Sequence, residues 1–273
     1  PCTIHAWQRA LQNGMESVFG QGGIGSRNLL QLVHSCYDLQ QCFPGNELSA
    51  VWKLALGEEG EGAEGNTEIG DDWDTPNRMS AAVLTRCWYV HTAVVYLLTH
   101  WDAWQKLSQK CLNSTKSDSK LGKIASSILS LMREPKIRAD AEFVKAVSLS
   151  LFDYHLLWLQ GYDEIAKDVG YRWRNMGERY YLMTEDLNKL RDGGWRENPE
   201  FADFLAASAE LPLRPAADPE NGEAVSEVGA KDGRRVIFYS EDCEASADNF
   251  FTVFQKTCTK HFDTWRDENA VFM

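Results

Sequence analysis

The stretch from Pro76 to Trp104 limits most strongly what this chain can fold into. Val83, Cys87, Val90, Val94, Leu97, Trp101 and Trp104 recur at steps of four and three, and Leu84, Trp88, Val95 and Leu98 widen the stripe. That spacing is the period of an α-helix with a broad apolar face. A helix so apolar has to be surrounded by others. A helix from about Ala82 to Lys110 is therefore expected at the heart of a multi-helix core. Thr85-Arg86-Cys87-Trp88 falls in its first turns, where an Arg and a Trp can face a cleft.

The flanking segments repeat the helical period. Trp7, Leu11, Met15, Val18 and Phe19 predict a first helix, ended by Gly20. Ser26 is placed to cap a second, with Leu29, Leu30, Val33 and Tyr37 inward. Leu48 to Leu56 reads as a short third helix. Beyond a polar linker over Asn113 to Lys120, Leu121, Ile124, Ile128 and Leu131 predict a helix that stops before Pro135. Phe143, Val147, Leu151, Tyr154 and Trp158 predict another, and Trp173 to Leu190 a longer one ending at Gly193-Gly194. Asn198-Pro199 is a helix start, with Asn as cap and Pro in the first turn. Ser240 is expected to cap a last helix carrying Ala247, Phe250, Phe251, Phe254, Cys258, His261, Phe262 and Trp265. Only Arg235 to Tyr239 reads as a strand, and a minor one. The fold class is therefore all-α, an irregular multi-helix domain without an internal repeat.

Between the third helix and the central one, Glu58, Glu59, Glu61, Glu64, Glu68, Asp71, Asp72 and Asp74 stand without any Lys or Arg. Their spacing matches no EF-hand loop, so 57–77 reads as an acidic flexible loop. The organisation that follows is a helical segment over 1–56, that loop, a helical region over 78–210, a loop over 211–234 and a terminal helix over 235–273.

Composition narrows the function. The formal net charge is -12, which argues against nonspecific coating of nucleic acid and leaves room for a local basic groove. Seven cysteines without regular spacing, and no signal peptide ahead of them, point to reduced thiols in cytosol or nucleus. No apolar run is long enough to cross a membrane, so no membrane partner is expected. The chain opens at Pro1 rather than Met and reads as an internal fragment. No nucleophile elbow or related spacing points to a Ser or Cys nucleophile. Cys2-x-x-His5 and Cys258-x-x-His261 have ligand spacing and together would make four zinc ligands. Cys258 and His261, however, lie on the apolar stripe of the last helix, where Cys acts as a small hydrophobe, so no metal is assigned. Arg172, Arg174 and Arg179 around Trp173 form a local basic-aromatic cluster, read as solvated charges beside a core Trp.

Two marks, in order, carry a resemblance. Cys2-x-x-His5 stands at the head of a helix, and Thr85-Arg86-Cys87-Trp88 opens the large helical region, with the acidic loop between them. Over roughly residues 1 to 160 the chain resembles the middle of a hAT-superfamily DNA transposase, whose ribonuclease H-like catalytic domain is interrupted by an all-helical insertion domain. The resemblance implies that Cys2 and His5 lie near the active site, just after the second catalytic Asp. It also implies that Arg86 and Trp88 contact DNA, the Trp holding a base flipped out beside the cut. The intact parent is expected to be nuclear and to excise and join transposon ends with Mg²⁺ or Mn²⁺, with further copies of itself, as a homo-oligomer, among its expected partners. Alternative readings are a domesticated, noncatalytic protein-interaction module derived from a transposase, and an unrelated helical scaffold.

The chain departs from the family pattern at one position: Cys87 separates Arg86 from Trp88, where the family has Trp directly after Arg. One residue turns a helix by about 100°. The family also needs three acids to hold two divalent ions. The first two are expected before Pro1, and no Glu toward Met273 is nominated as the third, so no catalytic residue is assigned in this fragment. These 273 residues alone are expected to leave hairpin and nicked DNA uncut in Mg²⁺ or Mn²⁺. Metal-dependent strand breaks that survive repurification would overturn that expectation.

Overall fold

The computed structural model describes residues 3–20, 25–43, 87–152, 185–213 and 239–268. In chain order the α-helices are α1 (Thr3–Phe19), α2 (Arg27–Gln41), α3 (Cys87–Thr99), α4 (Trp101–Ser114), α5 (Lys120–Met132), α6 (Pro135–Val147), α7 (Ala202–Ala209) and α8 (Ser240–Glu268). Helical turns over 185–190 and two 3₁₀ turns, Gly194–Glu197 and Pro199–Phe201, lie between α6 and α7. No strand occurs among the described residues, and the fold is all-α as the periodicity requires. The expected helix over 48–56, the acidic 57–77 stretch, the Arg172–Arg179 cluster and residues 235–238 lie outside the described residues.

The chain divides into two compact units, one spanning Gly23–Ile137 and the other joining Pro1–Gly22 to Arg138–Met273. The expected 78–210 region is thus shared between them.

In the Gly23–Ile137 unit, α5 packs along both α2 and α4. Leu29, Leu32, Val33 and Leu39 of α2, Val94 and Leu97 of α3, Trp104 and Leu107 of α4, and Ile128 of α5 are fully or almost fully buried. Two hydroxyl caps fix where helices begin. Ser26 Oγ accepts from the Leu29 N–H at 3.3 Å, and Ser119 Oγ accepts from the Gly122 N–H at 3.0 Å. Each such cap is worth about 1 kcal/mol, since it satisfies an N–H that has no partner within the helix.

The central apolar stripe is buried as expected: Val94 and Leu97 are fully enclosed and Trp101 is 8% exposed. It is not one helix, however. The backbone breaks at His100, with φ -114 and ψ 26. Thr99 Oγ1 donates back to the Val95 carbonyl at 2.9 Å, a side-chain bond that competes with the helical ladder and bends it. Apolar period alone does not register such a break, because the stripe continues on both sides of it.

In the other unit, α1 packs along α8 more extensively than any other pair of helices. Gly14 makes the approach possible. A Cβ there would lie 2.7 Å from Phe250 Cε2 and 3.3 Å from the Phe254 Cβ. Around this contact sits an aromatic core. Phe143 meets Phe204 at 5.2 Å and Phe250 at 5.4 Å between ring centroids, and Phe250 stacks on Phe254 at 5.6 Å. Such pairs add roughly 0.5–1.5 kcal/mol each beyond the area they bury. After Val147, α6 loosens into a π turn over Ser148–Phe152, where Ser150 Oγ donates to the Ala146 carbonyl at 2.6 Å.

Ser240 opens α8 as its first helical residue rather than capping it from outside. The Asp242 carboxylate instead accepts from the Tyr239 N–H at 3.4 Å, the reach-back half of a capping box.

Gly14→Val is expected to destabilise the protein by about 1–3 kcal/mol, because the added side chain must displace the buried Phe250 ring. A lowered urea midpoint tests this, and an unchanged midpoint would mean that α1 and α8 do not pack as closely as described.

Candidate functional site

Of the four residues singled out by motif, His5 and Trp88 lie on described helices, one in each unit. His5 lies on α1. Cys2 lies outside the described residues. Further along α1, Ala10, Leu11 and Met15 are fully buried, which holds the helix firmly beyond its first two turns. Trp88 is the second residue of α3, and Arg86, just before that helix, lies outside the described residues.

The register of α3 separates two lines along its surface. His91, Val94 and Leu98 are buried on one line, which position 87 continues. Thr92 and Thr99 are exposed and Val95 half-buried on another, which position 88 continues at steps of four, three and four.

His91 is almost completely enclosed, and burial pushes its pKa down to about 4. The imidazole is thus neutral at physiological pH and belongs to the core. Burial shifts His100 in the same direction. Buried thiols behave alike: burial drives Cys36 and Cys258 well above the ordinary thiol range, so both stay protonated. Cys258 is thus a small hydrophobe, as its place on the apolar stripe requires. Among the described residues no three His, Cys, Asp or Glu side chains stand together as metal ligands.

Two charged clusters in the α1–α8 unit escaped the sequence reading. In the first, Trp195 is fully buried and its Nε1 donates to Asp248 Oδ1 at 2.7 Å. Arg196 donates from Nη1 and Nη2 to the two Asp248 oxygens at 3.2 and 3.1 Å, and its Nε donates to Glu244 at 3.1 Å. The guanidinium also lies 4.4 Å from the centroid of the Trp195 ring, in cation–π contact. Burial opposes ionisation of Asp248, yet the hydrogen bonds from Arg196 and Trp195 hold its pKa below the usual carboxylate value. This cluster ties the Gly194–Glu197 turn to α8. Its sequence signal is a Trp directly between Gly-Gly and the Asn-Pro helix start.

In the second, the buried Glu142 carboxylate meets Arg138 at 2.7 Å and Lys145 at 3.0 Å, and Lys145 also meets Asp203 at 2.7 Å. Burial works against the Lys145 charge, but hydrogen bonds to Asp203 and Glu142 raise its pKa overall. The Lys145 hydrogen bond and charge lower the Asp203 pKa in turn. A buried acid paired from two sides is a structural group: Arg138 and Lys145 hold Glu142 within α6, and the Lys145–Asp203 bridge joins α6 to α7.

Comparison with protein-family models, curated proteins and solved structures finds no match for the chain.

The neutral burial of His91 makes stability depend on pH. Between pH 6.5 and about 4 the unfolded chain takes up a proton that the folded chain refuses. The contribution is complete above pH 6.5 and is lost as the pH falls toward 4. The melting temperature is expected to drop across that window, and His91→Phe to flatten the drop, with His100 supplying a remainder. An equal slope in wild type and variant would place the proton uptake elsewhere.

Proposed function

We propose that the chain is a helical insertion-domain segment of a hAT-like DNA transposase, or of a host protein derived from one. Its role is to grip distorted DNA at a transposon end, with Arg86 and Trp88 as the contact residues. Cleavage and joining, with Mg²⁺ or Mn²⁺ in the nucleus, belong to the intact parent. No step through a metal ion is derived from the residues of this chain.

One observation carries the reading: the order of the two motifs, Cys2-x-x-His5 and then Thr85-Arg86-Cys87-Trp88, in a chain whose described residues are all-α. The register of α3 adds support. Position 88 shares its line with Thr92, Val95 and Thr99, while position 87 shares the buried line of His91, Val94 and Leu98. An exposed Trp can stack on an unpaired base, a contact worth about 1–3 kcal/mol. Arg86 stands two positions before Trp88, and a guanidinium grips a phosphate bidentately. The pair can therefore meet the backbone and the adjacent extrahelical base from different directions.

Trp88→Ala and Arg86→Ala are expected to melt like wild type and to bind a hairpin with a flipped base more weakly. Loss of the Trp88 stack should cost binding about 1–3 kcal/mol. Arg86→Ala should also show a shallower salt dependence, since one phosphate contact is gone. A core Trp88 would instead cost folding about 3–5 kcal/mol. Unfolding of Trp88→Ala, or no preference of wild type for the hairpin over plain duplex, would remove the DNA role from this motif.

A further inference from the structure

We propose that the corner between α4 and α5 is a second DNA-docking surface, one that receives the phosphate backbone of plain duplex beside the distorted end. The proposal takes its partner class from the DNA-binding reading above and stands on different residues.

The corner concentrates positive charge in a chain of opposite sign. Over residues 106–123 stand Lys106, Lys110, Lys116, Lys120 and Lys123 with a single acid, Asp118, although the whole chain holds 40 acidic residues against 28 basic. All five lysines are exposed. The corner is built firmly. The Ser119 N–H and Oγ both donate to the Lys116 carbonyl, at 3.0 and 2.6 Å, and the Ser119 hydroxyl then caps α5. Lys116 stands in this turn, Lys106 and Lys110 on α4 before it, and Lys120 and Lys123 in the first turn of α5 after it.

Beside the corner lies an open groove of about 400 Å³ between α2 and α5. Gln31, Ser117, Lys123, Ser126, Ser127, Ser130 and one apolar residue, Leu131, line it, with no carboxylate among them. Hydroxyls, an amide and an ammonium without acids form a donor set for phosphate oxygens. Such contacts position a duplex without reading its sequence.

The chemistry favours nucleic acid over a lipid surface. A membrane-seeking basic patch presents large apolar side chains beside its lysines. Among the described residues the large exposed apolar side chains are Leu149 and Leu213, and neither lies near this stretch of sequence.

The test uses the whole chain carrying Lys116→Glu, Lys120→Glu and Lys123→Glu together, with the three Lys→Gln changes as a milder second variant. Anisotropy of a labelled duplex is read across a salt series. The same proteins are mixed with the flipped-base hairpin, and with vesicles containing phosphatidylserine. Wild type is expected to bind duplex. The Glu variant should bind at least about tenfold more weakly and lose about 2–3 from the slope of log K against log salt, as for three lost phosphate contacts. The Gln variant should fall between, and melting should stay unchanged in both. Duplex binding that ignores all three lysines, or no duplex binding by wild type, would overturn the proposal. So would lysine-dependent binding to the vesicles in its place. Hairpin binding that needs Trp88 but not the lysines would sink this surface and leave the Arg86–Trp88 reading standing. Lysine-dependent duplex binding without hairpin preference would do the reverse.

Discussion

The close approach of α1 to α8 at Gly14 governs the larger part of what is described here. A glycine in the middle of a helix costs about 1 kcal/mol relative to alanine, so its presence needs a reason. The reason is Phe250, whose ring occupies the space that a side chain at position 14 would fill. With the two backbones so close, Phe250 and Phe254 reach past α1 to join Phe143, Phe201 and Phe204 in one cluster. The Trp195–Asp248–Arg196 clamp then ties the intervening turn to the same face of α8. The first helix is in this way held by the last. His5 lies nine residues before Gly14, about 14 Å along a rigid helix, so the packing at Gly14 fixes the direction in which the motif's helix starts.

Much of this was legible in the sequence, and what was not has a common cause. Helix existence follows from period. Leu11 and Met15, Leu29 and Val33, and Phe250, Phe251 and Phe254 were all read as inward, and all are buried. Helix starts followed where a side chain could cap, as at Ser26 and Asn198. The pairing of α1 with α8 was not legible, because no local pattern states which of eight apolar stripes meets which. The break at His100 was missed because Thr99 bends the helix without interrupting its stripe. Glu142 was missed because its burial depends on Lys145 and Arg138 neutralising it, which is a matter of three-dimensional placement. The site motifs were legible only as motifs, and their chemistry depends on surroundings that spacing does not encode.

Net charge illustrates the same gap between sum and arrangement. A formal charge of -12 describes the chain at distances long compared with the Debye length, about 8 Å at physiological ionic strength. A ligand at the surface responds instead to the few charges within that distance. By formal charge the stretch from Lys106 to Lys123 is positive, five lysines against Asp118, in a chain that is acidic overall. Global charge still matters for encounter, since it slows the approach of a polyanion and leaves selection to the local patch.

The position of Cys87 is the sharpest constraint on how the Arg–Trp element can work. In an Arg-Trp dipeptide the two side chains diverge by about 100°, whereas with one residue between them they diverge by about 200°. An insertion at random would be expected to turn the Trp into the core as often as out of it. Here the helix that follows decides the matter through its own packing. His91, Val94 and Leu98 fix which line faces inward, and that line runs back to position 87. Cysteine, small and apolar, suits such a line, whereas Thr92, Val95 and Thr99 mark a neighbouring line with room for a larger side chain. An Arg-Cys-Trp order thus differs from an Arg-Trp dipeptide by one helical step of about 100°.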